Sequence, residues 1–104
     1  MSGSFDFMSA SAADKITHLE ARLTAELKPH SVHIDDDSAA HAGHAGAASG
    51  SHYTVTIVAD CFAGKARVAR HRLVYDALAE EMRRGVHALA IRAYTPQEFA
   101  EQFE

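Results

Sequence analysis

The sequence predicts an α+β fold: a three-stranded mixed sheet with two main helices on one of its faces. Three observations lead to it. Apolar residues recur at helical spacing in two long segments, and three short segments rich in β-branched residues have the length and pattern of strands. The elements run helix, strand, strand, helix, strand, helix (α-β-β-α-β-α), so a helix separates the second and third strands. Such a connection implies a right-handed crossover and a parallel pair. A chain of 104 residues has room for one core, and the expected division is a disordered lead-in over 1–10 and one domain over 11–104.

The first helix begins near Ser11, an N-cap residue, with Asp14 in the first turn where the helix dipole favours an anion. Ile16, Leu19, Leu23 and Leu27 form its buried stripe, and Pro29 stops it. Residues 31–36 alternate, with Val32 and Ile34 on one face and His33 and Asp35 on the other, as a strand with one wet side does. Residues 37–51 hold only small residues, Asp37 and the histidines His41 and His44, so nothing there can pack and a mobile loop is expected. Tyr53, Val55, Ile57 and Ala59 then alternate with Thr54, Thr56 and Val58, the clearest strand of the chain, and the loop makes it an antiparallel partner of the first.

Residues 60–66 are a turn. A long helix is expected over 67–84, with His71, Val74, Leu78 and Met82 on one face and Gly85 ending it. Residues 86–93 are apolar on both faces, which predicts a central strand. Thr95, Pro96 and Glu98 spell a capping box with proline at the first helical position, and Tyr94 and Phe99 are spaced for a hydrophobic staple.

Composition narrows the function. The formal charge of −4 gives no general attraction to nucleic acid, although a local basic patch can still exist. One cysteine, Cys61, permits no internal disulfide and suits a reducing compartment. No apolar run approaches membrane-spanning length, and no basic-then-apolar leader opens the chain. A cytoplasmic protein without membrane contact is expected. No G-x-S-x-G elbow occurs, Gly43, Gly46 and Gly50 do not form a phosphate loop, and neither Asp60 nor Phe62 would activate Cys61. No enzyme is expected.

Two constellations remain. Eight histidines is a high count for this length, and His41, His44, His52 and His87 fall in the loop or at strand starts. Imidazole suits zinc, copper, nickel and iron, yet no cysteine or carboxylate stands close enough in sequence to complete a closed site. A solvated loop and a hydrogen-bonded core His87 fit the same residues. The second constellation is basic: Lys65, Arg67, Arg70, His71 and Arg72 gather at the turn and the start of the long helix, where a nucleic-acid reader would present them. A solvated helix start fits these as well.

The run F-x-G-K at Phe62–Lys65, R-H-R-x-V-Y at Arg70–Tyr75 and H-A-L-x-I-x-A-x-T-P at His87–Pro96 together resemble the BolA family. So does the acidic, serine- and histidine-bearing stretch from Asp36 to His44 ahead of a strand opening His-Tyr. The resemblance spans roughly Lys15 to Phe99. It implies a fold related to the class II KH type, although the chain lacks the GxxG loop of KH readers and has Phe-Ala-Gly-Lys near where one would be sought. It also implies a monothiol glutaredoxin as partner, with a [2Fe–2S] cluster completed by the glutaredoxin cysteine and a glutathione thiol, and none held by the isolated chain. The ligands on this side would be His87 and a loop histidine, His41 or its close competitor His44. Imidazole in place of thiolate removes negative charge and raises the reduction potential. The family is also described as transcriptional regulators, which makes DNA the alternative partner through Lys65, Arg67, Arg70, His71 and Arg72. A homodimer stays open.

Overall fold

The computed structural model describes Phe7, residues 9–37 and residues 51–103. The first helix, α1 (Ala12–Leu27), starts as its sequence demands: the Ser11 hydroxyl accepts the Asp14 amide N–H at 3.1 Å. It ends at Lys28, whose left-handed backbone (φ 49°) directs its N–H to the Thr24 carbonyl. Strands β1 (Ser31–Asp36) and β2 (Ser51–Val58) pair antiparallel, with Ser31 opposite Val58 and Asp36 opposite Tyr53. A short 3-10 turn over Asp60–Phe62 leads to α2 (Arg67–Ala77) and α3 (Ala79–Arg84). Strand β3 (Val86–Tyr94) lies parallel to β2, and α4 (Pro96–Phe103) closes the chain.

Helices α1 and α2 pack on each other and against the sheet. Ile34, Tyr53, Val55 and Ile57 point into that layer and are buried with Leu19, Leu23, Phe62, Val74 and Leu78. His33, Asp35, Thr54 and Thr56 alternate with them on the wetter face. The F-x-G-K run is a turn device: Phe62 is fully buried, its carbonyl accepts the Lys65 N–H at 3.1 Å, and Gly64 sits at φ +73°. No atom lies within 4 Å of a Cβ built on Gly64, so its backbone angle, and not crowding, is what favours glycine. At the other end, Thr95 and Glu98 exchange both capping bonds (2.9 and 3.2 Å), and the Tyr94 and Phe99 rings meet edge-on at 5.7 Å.

Two expectations need revision. The strand order is β1-β2-β3, so β3 is an edge strand and β2 is central. The apolar second face of β3 that suggested burial consists largely of Ala88 and Ala90, which are exposed; alanine reads as apolar but is tolerated in water. The single helix expected over 67–84 is broken at Leu78 (φ −109°, ψ 19°), whose N–H is shared between the Val74 and Tyr75 carbonyls. The segment after the break carries Glu80 and Glu81 in its first turn and Arg83 and Arg84 in its last, the charge order of a helix in its own right. Phe7, within the segment expected as a lead-in, is 2% exposed and packs on the His18 ring, with Lys15 Nζ 5.5 Å from its own ring centre. The rest of the segment before residue 9 lies outside the described residues, as do residues 38–50 of the loop.

Candidate functional site

The end of β1 and the starts of β2 and β3 lie together at one end of the sheet. Asp36 pairs with Tyr53, and the Asp37 N–H donates to the His52 carbonyl at 2.8 Å, so β1 ends and β2 begins side by side. The Thr54 hydroxyl donates to the Asp37 carboxylate at 2.5 Å and fastens the same point. Strand β3 starts there too, because Ser51 pairs with Val86 and His52 with Ala88. The register slips between Ser51 and His52, so the backbone of His87 sits at a β-bulge. His41 and His44 lie outside the described residues. Among the described residues, no three His, Cys, Asp or Glu side chains come together as a metal site.

The basic constellation divides once folded. Lys65, Arg67 and Arg72 are exposed. Arg70 is not a free cation: its side chain is 13% exposed and spans three elements. Its Nε donates to the Lys65 carbonyl (2.8 Å), Nη1 to the Ala93 carbonyl (3.1 Å) and to Glu98 Oε1 (2.6 Å), and Nη2 to Glu98 Oε2 (3.0 Å). A guanidinium has five N–H donors, and this one has spent nearly all of them inside the protein. The candidate DNA contact Arg70 is therefore a clasp that ties α2 to β3 and α4. The guanidinium, helped by the Thr95 amide, holds the Glu98 carboxyl far down, from 4.5 to about 2. A carboxylate depressed in the folded state stabilises above its unfolded value, and that contribution is lost as pH falls through the folded one. Glu98→Gln should therefore flatten the pH dependence of unfolding free energy between about pH 4.5 and 2, as measured by urea titration at stepped pH; an unchanged slope would refute the clasp.

His71 is half-buried rather than part of the core face, and with Val68, Arg72 and Tyr75 it lines a groove of about 370 Å³. Sequence reasoning missed Val68 and Tyr75 as site residues. Their spacing from Arg72, four residues before and three after, was the available signal, since residues at i, i+4 and i+7 share one helix face. Cys61 is half-buried, and burial pushes its thiol up, away from nucleophile chemistry.

Comparison with known proteins agrees with this architecture. The pattern of the family described as BolA-like protein matches residues 23–98. The chain belongs to the BolA family. It is 45% identical over 87 residues to SufE-like protein 1, chloroplastic/mitochondrial, of Arabidopsis thaliana, covering 77% of this chain but only 23% of that longer protein. Over 81 residues it is 43% identical to the DNA-binding transcriptional regulator BolA of Vibrio cholerae, covering 78% of this chain and 74% of the relative. The solution structure of BolA1 protein from Mus musculus superposes with a TM-score of 0.75 at 38% identity, over 100% of this chain and 81% of that one. Among the described residues, no helix of this BolA-family chain is long and apolar enough to cross a membrane.

Proposed function

We propose that this BolA-family chain is a non-enzymatic adaptor that binds a monothiol glutaredoxin and shares a [2Fe–2S] cluster with it as cargo. His87 would be the fixed ligand and His41 or His44 the loop ligand, with the glutaredoxin cysteine and glutathione completing the set. The observation behind this reading is the convergence at one end of the sheet: the two ends of the histidine-bearing segment and the start of β3 meet there. The donor chemistry fits. Two neutral imidazoles supply half a site, which needs a partner's thiolates to close it. Protonation of either imidazole weakens that half, so cluster release on acidification follows.

The proposal is tested by mixing the chain with a monothiol glutaredoxin, glutathione, iron and sulfide without oxygen, then recording native mass spectra. A one-to-one heterodimer carrying two irons and two sulfides supports it. Glutaredoxin homodimers as the sole cluster-bearing species would contradict it.

DNA binding is the second reading. The exposed Lys65, Arg67 and Arg72 favour it, as does the name carried by the Vibrio relative. It ranks lower because Arg70 is committed to Glu98 and because apolar Val68 and Tyr75 stand in the middle of the basic face.

A further inference from the structure

Segment 61–75 holds Lys65, Arg67, Arg70 and Arg72 and no acid, leaving the other 6 of the 10 cations and all 14 acids elsewhere in the chain. Of these four, Arg70 is neutralised by Glu98, whereas Lys65, Arg67 and Arg72 face solvent. Among them lies apolar surface: Val68 is 67% exposed and Tyr75 39% exposed, and both line the groove with His71 and Arg72. Val68, Arg72 and Tyr75 stand in line along α2 over about 10 Å, roughly two helical turns. An apolar centre containing tyrosine and arginine, bordered by Lys65, Arg67 and Arg72 and with exposed Asp76 only at the C-terminal end of the stripe, has the make-up of a protein-binding hot spot.

The neighbouring edge narrows the form of the partner. Strand β3 would accept an added strand if its outer edge were bare. It is covered instead: the Tyr75 hydroxyl donates to the Leu89 carbonyl at 3.2 Å, and Arg70 donates to that of Ala93 at 3.1 Å. Between these two capped positions only Ile91 turns its backbone the same way, too little for a strand to pair with. A helix laid along the α2 stripe needs no backbone hydrogen bonds and leaves both caps intact.

We infer that the exposed stripe Val68–Arg72–Tyr75 of α2 is a docking surface for an amphipathic helix of a partner protein, apolar at i, i+3/i+4 and i+7 and flanked by Asp or Glu. The apolar positions cover Val68 and Tyr75, and the acids meet Arg72, Arg67 and Lys65. The Tyr75 end of the stripe reaches β3 at Leu89, two residues after His87, but Val68, Arg72 and Tyr75 are not among the proposed cluster ligands, so peptide binding without cluster or glutaredoxin tests the inference apart from the cluster-sharing function.

The test is an NMR titration of the labelled protein with a 16-residue helical peptide carrying a Leu/Phe stripe flanked by Glu. Parallel titrations use the same peptide with Gln for Glu, and a 16-nucleotide single strand and its duplex. Saturable shifts confined to amides near 67–76 are expected. The Gln peptide and the variants Val68→Glu and Arg72→Glu should each bind at least about fivefold more weakly. Both substitutions fall on exposed positions, and an otherwise superimposable spectrum verifies the fold. Absence of shifts at the stripe, or equal binding of the Glu and Gln peptides, overturns the inference. So does an oligonucleotide that saturates the same amides at lower concentration, in favour of nucleic acid.

Discussion

Phe62→Ala should cost about 3–5 kcal/mol of folding free energy, a large part of what a domain of this size possesses. The ring is fully buried in the core cluster, yet it hangs from a short turn between β2 and α2 and not from a regular element. Truncation leaves a cavity that the turn cannot collapse to fill, because the Phe62 carbonyl and Gly64 fix its course. The melting temperature should fall by on the order of 20 °C. Phe62→Leu, which keeps most of the volume, should lose clearly less. Urea and thermal unfolding measure both, and a loss below about 1 kcal/mol for Phe62→Ala would remove Phe62 from the core.

The pair His18–Glu81 should respond unequally to its two deletions. His18 Nε2 lies 2.5 Å from Glu81 Oε2 and links α1 to α3. Glu81 is 4% exposed, and its other oxygen, Oε1, is buried and has no hydrogen-bond partner among the described residues. His18→Ala strands the carboxylate in the interior and should cost roughly 2–3 kcal/mol, toward the low end for such pairs because the imidazole is partly exposed. Glu81→Leu removes the orphaned oxygen and leaves a partly exposed imidazole that water can reach. That change should be close to neutral or mildly stabilising. Equal losses from both, measured by chemical denaturation at neutral pH, would mean that the pair is a net stabiliser and not a buried polar liability.

What could be read from the sequence was what depends on neighbours in the chain. The α1 cap at Ser11, the stop at Pro29, the β2 alternation and the Thr95–Glu98 box all follow from interactions a few residues apart, and each is present. The edge position of β3 was hidden because Ala88 and Ala90 look apolar without demanding burial. The break at Leu78 was hidden because the apolar period runs straight through it. Arg70 was misjudged for another reason. Its partner Glu98 is 28 residues away, and only the parallel β2–β3 pairing, with α4 folding back, brings them together. Likewise His18 and Glu81 are 63 residues apart, and nothing local announces them.

For the candidate site, sequence reasoning put His87 at the start of the third strand, where it is found, but could not see the bulge there or the pinning of Asp37 to His52 beside it. The groove on α2 was obscured because charged residues dominate that stretch of sequence, and the exposure of its apolar members Val68 and Tyr75 is visible only in the fold.

The central claim is that His87 ligates a cluster held jointly with a monothiol glutaredoxin. The most direct measurement is visible circular dichroism of the anaerobically reconstituted mixture for wild type, His87→Ala, His41→Ala and His44→Ala, with folding of each variant checked in the far ultraviolet. The expected result is a wild-type spectrum distinct from the glutaredoxin homodimer, lost in His87→Ala and in one of the two loop variants. A heterodimer spectrum unchanged in all three variants would contradict the claim and turn attention to the basic face of α2.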